Sequence, residues 1–412
     1  MVINRINRLL PAIGLCIITL ASGCSNRSLS IPNETTADSS NKSSYSSSTF
    51  GFYDLSSFDV YTDDTTVHLL LAGKSSAKDK HIKLRYSRSD DGGLTWKETV
   101  DLSTLPVAIA SRGNDVQIAA KDNQVLAVWQ TSGELPGMGP MTSAYSSDNG
   151  QTWTLGKNPA ANNAGDQSHL DIAADDKGRF HVVWLEDPEE NGYQSLRYTT
   201  SEDHGINWSN ARTLDDSTCS CCWNTLVLSP ENDLNILYRD MNPRDMALLQ
   251  STDKGKTWNQ ASTVGDFGWQ FDGCPHVGGS LAYGGKDRPE ELFSLVWTGL
   301  DTKAGLYFLA SNDRGKSWTS PLKVGNTAIH ADIAVHGGKI AALWDEMEPE
   351  GSSLFYAHSE IDGRSLSSAK RLTKAANAAT HPRLAVTERG LLAIWTEKPS
   401  KQPGRLAWQI QD

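Results

Sequence analysis

The apolar positions of this chain come in short runs and not in helical stripes. Runs such as Val125-Leu126-Ala127-Val128-Trp129 and Phe180-His181-Val182-Val183-Trp184 are too short for helices. They suit strands buried on both faces. They recur roughly every fifty residues, and five close on a Trp, at 129, 184, 297, 344 and 395, with Tyr238 in the same place. Half a period away stands a polar signature, Ser-x-Asp-x-Gly-x-Thr-Trp. It occurs at Ser89, Asp91, Gly93, Thr95 and Trp96, and again ending at Trp153, Trp208, Trp258 and Trp318. A worn copy runs through Ser359, Asp362, Gly363 and Leu366.

Each signature follows a short strand, such as Leu84-Arg85-Tyr86. Asp and Ser side chains hydrogen-bond their own turn, Gly supplies a positive φ, and the Trp packs back between sheets. A third series, residues 116–120, 170–174, 224–228, 279–283, 331–335 and 382–386, reads as innermost strands. With a first unit at residues 58–71, the pattern predicts seven four-stranded units, or six if a terminal unit is an appendage. The last unit has only three strands, so its fourth is expected from near residues 50–53. The polar signatures are Asp boxes, and on them the chain resembles the sialidase-like (BNR repeat) β-propellers. The resemblance implies an all-β, seven-bladed (alternatively six-bladed) β-propeller over residues 51–412, with box residues in structural turns.

The N-terminus carries different information. Arg5 and Arg8 precede an apolar stretch at residues 9–20, too short to span a bilayer but right for a signal peptide. Leu20-Ala21-Ser22-Gly23-Cys24 resembles a bacterial lipobox. Residues 1–23 are therefore expected to be a lipoprotein signal, with Cys24 lipidated and the chain exported and membrane-anchored, at the outer membrane if the host is Gram-negative. Residues 24–50 read as a disordered tether, since ten of the 24 residues from 25 to 48 are Ser.

Charge narrows the partners. The formal net charge of −11 argues against nucleic acid, which is usually met by a basic face. A glycan or protein ligand and a monomeric state are the remaining expectations. Candidate chemistry lies at the starts of the innermost strands. Aligning the repeats puts Gln117, Asp171, Thr225, Ser280, Asp332 and Arg383 at one position expected to face the channel. His169, His330 and His381 share the position two residues earlier, and His276 lies close to it, in a chain with only ten His. His169, Asp171, His330, Asp332 and His381 are thus the candidate ligand-binding residues.

Four cysteines remain beyond Cys24: Cys219, Cys221, Cys222 and Cys274. Two readings stand. Disulfides among these four are the default outside the inner membrane. A thiolate–imidazole site of Cys221, Cys222, Cys274 and His276 would instead suit copper or zinc. The Cys-x-Cys-Cys segment, Tyr238-Arg239-Asp240 and Gly273-Cys274-Pro275 together resemble a group of exported bacterial sialidase-like proteins, over residues 55–412. That resemblance implies a carbohydrate ligand and, if the protein is an enzyme, an exo-sialidase type of hydrolysis. Yet the family's Arg-Ile-Pro motif is absent. Arg112, Arg239 and Arg383 are the substitute arginines, with Asp240 as acid and Glu186 or Glu346 as base. A scaffold without a small ligand is the third reading. For the anchor, Cys24→Ser is expected to abolish incorporation of radiolabelled fatty acid and move the protein from the membrane to the soluble fraction; an unchanged distribution would refute it.

Overall fold

The computed structural model describes residues 45–411 apart from 114, 193, 272, 326 and 361–364. The signal segment, Cys24 and most of the expected tether lie outside the described residues, as do Asp362 and Gly363 of the worn Asp box. What is described forms seven four-stranded antiparallel sheets. Blade 1 is Asp54–Asp63, Thr66–Lys74, Lys83–Ser89 and Val100–Asp101. The inner strands of blades 2 to 7 are Val116–Lys121, Asp166–Ala174, Thr225–Leu228, Ser280–Tyr283, Ala328–His336 and Ala379–Thr387. Each inner strand neighbours the next, and that of blade 7 returns to blade 1. The chain is a seven-bladed propeller.

The apolar runs explain why the blades stack. Trp129, Trp184, Trp344 and Trp395 are fully buried on second strands. Each such side chain contributes about 1.5–3 kcal/mol on burial. Each core lies between two blades. Leu70 and Leu84 of blade 1 pack with Val116, Ile118 and Trp129 of blade 2. Phe58 and Leu69 of blade 1 pack with Ile394, Leu406 and Trp408 of blade 7, which seals the ring.

Blade 7 takes its outer strand from the N-terminal side. Ser46, Ser47 and Ser48 pair with Trp408, Ala407 and Leu406. The closing strand thus lies a few residues before the expected 50–53, and the end of the Ser-rich stretch belongs to the propeller. Its pairing is made by backbone groups, which a serine offers as well as any residue.

The boxes are turns between third and fourth strands. In blade 2, Asp148 Oδ1 accepts from Ser146 Oγ (2.7 Å) and the Thr152 amide (2.9 Å), and the Gly150 amide donates to Ser146 Oγ (2.8 Å). Gly150 has φ +80°, and a Cβ there would lie 2.0 Å from the Tyr86 ring of blade 1. In an antiparallel meander this turn lies at the opposite end of the blade from where the inner strand begins. Box residues are therefore kept away from the rim formed by the inner-strand starts.

Candidate functional site at the channel mouth

The channel wall is built from one register position. Asp59, Gln117, Asp171, Thr225, Ser280, Asp332 and Arg383 each sit opposite the equivalent second-strand residue of their own blade. Most of them bond to the neighbouring blade. Asp59 Oδ2 accepts the Ile118 amide (2.9 Å), Asp171 Oδ2 that of Leu226 (2.6 Å), Ser280 Oγ that of Ile333 (3.0 Å) and Asp332 Oδ2 that of Leu384 (2.9 Å). Arg383 lies 3.5 Å from Asp59 and 3.7 Å from Asp332. Burial pushes Asp59 up to about 6 and Asp171 up to about 7, with Arg383 opposing both shifts. Above this ring the throat encloses only about 50 Å³, lined by Gln117, Asp171, Trp223, His330, His381 and Arg383 among others. That is room for a water or two, far below the ~300 Å³ of a small-molecule pocket.

Where the inner strands begin, their ladders break. Register shifts fall between Ser168 and Asp171, Ile329 and Ala331, and Thr380 and Arg383. His169 (φ +53°) and His381 (φ +51°) sit in these bulges with left-handed backbone, as does His276 (φ +54°) in its loop. A bulge re-aims a side chain, and here the imidazoles gather around Trp223. The rings of His169 and His381 lie 5.7 Å from the indole and that of His330 lies 6.3 Å away. His330 and His381 stack at 3.8 Å. Each Nδ1 is held within its own blade: His169 by Ser168 Oγ (2.9 Å), His330 by Asp345 (3.0 Å) and His381 by Thr380 Oγ1 (3.0 Å). Burial holds His169 down to about 4 and His381 to about 3. These are neutral imidazoles at physiological pH, with lone pairs available to a cation. Arg112 lies 5.2 Å over Trp223, with Nη2 3.1 Å from His276 Nδ1.

The cysteines join the same rim from the lead-in loops of blades 4 and 5. Cys219, Cys221 and Cys222 are buried, Cys274 is exposed, and all four are free thiols with no disulfide formed. Sulfur atoms of Cys219 and Cys222 lie 3.3 Å apart, and Arg244 Nη1 donates to Cys219 Sγ at 3.1 Å. Hydrogen bonds from Cys221 and Cys222 pull the Cys219 thiol far below its ordinary value, with Arg239 adding to the effect. Burial pushes Cys222 up to about 11. The potential ligand atoms of Cys219, Cys221 and Cys222 lie within 4.8 Å of one another, and so do those of Cys221, Cys274 and His276. The two groups share Cys221.

The arginines expected to act together are committed elsewhere. Arg239 is buried and donates to the carbonyls of Arg244, Val277 and Trp297. Arg383 is spent on the channel carboxylates, which leaves Arg112 at the rim. Asp240 bonds the adjacent Met241 amide (2.7 Å), and burial raises its carboxyl. Glu186 pairs with Arg197 (3.0 Å), and Glu346 accepts from Trp344 Nε1 (2.8 Å). Sequence reasoning missed Trp223 as the hub, Asp345 as the partner of His330, and Arg244 beside the thiols. Trp223 carried a signal, since it lies outside both Trp series; Asp345 and Arg244 carried none. Beside the thiols opens a cleft of about 480 Å³, lined by Arg112, Asp166, His169, Cys221, Cys274 and His276 among others.

Comparison with known proteins agrees with the fold. Residues 65–267 match the model of the BNR repeat-like domain. The solved sialidase of Trypanosoma rangeli is similar at a TM-score of 0.50 and 12% identity, over 90% of this chain and 59% of that one. The leech intramolecular trans-sialidase gives 0.47 and 11%, over 84% and 65%. The propeller domain of the Trilobed protease from Pyrococcus furiosus gives 0.49 and 9%, over 88% and 98%. The chain thus spans about three-fifths of the length of the T. rangeli enzyme. No curated protein matches the sequence. Just under half of the chain thus matches a BNR repeat-like domain, and its propeller fold is similar to that of the T. rangeli sialidase.

The raised Asp171 carboxyl gives a signed expectation. The folded chain keeps this proton up to about pH 7, while the unfolded chain loses it near 3.8. Between those values the folded state binds more protons, so this group's contribution to stability falls as pH rises. Asn has no such dependence. Relative to the parent, Asp171→Asn should therefore gain of the order of 2 kcal/mol between pH 5 and pH 8. Urea unfolding at both pH values measures it, and a pH-independent difference would contradict the assignment.

Proposed function

We propose that this propeller binds a soft metal ion, copper(I) or zinc(II), at the thiolate–imidazole cluster of its channel mouth. The observation that carries the reading is the pair of overlapping triplets, Cys219, Cys221 and Cys222 with Cys221, Cys274 and His276, each within 4.8 Å. Sulfur ligands about 2.3 Å from a tetrahedral metal stand about 3.8 Å apart, so such groups close on an ion with small side-chain movements. Thiolates select soft ions. Arg244 beside Cys219 favours the ionised sulfur that a metal requires. The same reading has the propeller exported and held to a membrane through Cys24, with the Ser-rich segment as its tether.

The test is metal analysis of full-length protein reconstituted under reducing conditions and desalted. About one equivalent of copper(I) or zinc should be retained at the cluster, and thiol titration should show protected sulfurs that reappear on chelation. Cys221→Ser/Cys274→Ser should remove the soft-metal occupancy, because it strips both triplets of their shared sulfur. Four cysteines found oxidised, with no metal in the reduced protein, would overturn the reading.

A second reading is favoured by the cleft of about 480 Å³ beside the cluster. Its size suits a sugar residue. Buried Asp166 is bonded there to Ser168 Oγ (2.8 Å) and Gln194 Nε2 (3.1 Å), a mixed donor and acceptor surface of the kind that hydroxyl groups require. Binding or hydrolysis of a carbohydrate in this cleft fits the sialidase-like fold. Orthodox sialidase action does not fit this rim, because Arg239 and Arg383 are held by other partners and do not join Arg112 in a carboxylate clamp. A glycan panel decides: binding that is lost on Asp166→Ala supports the reading, and no binding or turnover removes it.

A further inference from the structure

We propose that His330, His381 and Asp345 form a second metal site, of imidazole–carboxylate type, on blades 6 and 7 of the same rim. It goes beyond the thiolate site and shares no ligand with it. The three residues bring potential ligand atoms within 4.8 Å of one another. Two independent observations point to a cation.

The first is Asp345. Its side chain is 1% exposed, and its partners are His330 Nδ1, the hydroxyl of Thr380 and the His381 amide. No Lys or Arg reaches it among the described ion pairs. A buried carboxylate normally has a cationic partner or a metal, because desolvating an unpaired charge is costly. The second is His381. Its Nδ1 faces Thr380 Oγ1 at 3.0 Å, while Nε2 is buried with no hydrogen-bond partner. Buried histidine nitrogens without a partner also occur at His68 and His204, but of these three residues His381 stands among other potential ligands.

The backbone is shaped to hold these groups in place. Both histidines stand at ladder breaks, and His381 is left-handed. Gly113, in the lead-in loop of blade 2, lies so close that a Cβ on it would be 2.3 Å from the His381 ring. Trp223 closes the other side, edge-on to both imidazoles. A fixed set of two nitrogens and a carboxylate favours borderline divalent ions, zinc(II) or copper(II), over copper(I). Three protein ligands leave a fourth position open, as catalytic zinc sites do.

The experiment uses the full chain carrying Cys221→Ser/Cys274→Ser, which disables the thiolate site. Titrated with zinc(II) and desalted, it should retain about one equivalent. Adding His381→Gln, His330→Gln or Asp345→Asn, each of which removes one of the three ligands, should abolish this. Bound copper(II) should show hyperfine coupling to imidazole nitrogen in its electron paramagnetic resonance spectrum and quench tryptophan emission. Near-UV circular dichroism separates loss of ligand from loss of fold, and the two single His variants provide independent tests. Retention of zinc by both His variants, or no uptake by the folded double-Cys variant, would overturn the site. If the wild type shows no thiolate-bound metal while this equivalent survives, only the proposed function falls.

Discussion

The inner strands are tied to one another by side chains, and the rest of the molecule depends on those ties. Asp59, Asp171, Ser280 and Asp332 each accept an amide from the next blade. Each such bond contributes about 0.5–1.5 kcal/mol, and more where the accepting carboxylate is ionised. They set neighbouring inner strands in a common register, so the strands begin at one level. The clustered cysteines and the histidines around Trp223 sit just before that level. The interblade cores then hold the ring from outside, and three backbone-paired serines close it.

This arrangement explains how separate loops come to build one site. The lead-in loops of blades 4 and 5 bring the cysteines, and the bulges of blades 3, 6 and 7 bring the histidines. Trp223 fills the space between them, while the narrow throat beneath keeps larger ligands at the rim. The local costs are visible at the same residues. Left-handed backbone at three histidines, a buried carboxylate without a fixed cation and clustered thiols are each unfavourable alone. Their concentration at one rim, in a molecule otherwise made of regular blades, is what functional sites commonly show.

The repeat was legible in the sequence because it rests on local chemistry. Asp, Ser, Gly and Trp at fixed spacing specify a turn whose bonds are made within the turn itself. The channel position and the shared histidine position were legible for a related reason, since strand register carries one repeat onto the next. The closing strand was not legible, because Ser46, Ser47 and Ser48 present no apolar pattern and pair through their backbone. Nor was the fate of the arginines. Arg239 and Arg383 sit at positions that suit ligand contact, but their partners are distant carbonyls and carboxylates known only once the ring is closed. Asp345 follows the blade-core Trp344 and resembles any solvated strand end until His330 and Thr380 are seen around it.

The central claim is that the mouth is a metal site with sulfur ligands. X-ray absorption at the zinc edge, on full-length protein loaded under reducing conditions with less than one equivalent, tests it most directly. The account predicts a first shell dominated by sulfur at about 2.3 Å, with a lighter nitrogen scatterer at about 2.0 Å. A shell of nitrogen and oxygen alone, or failure of the reduced protein to retain zinc, would contradict it.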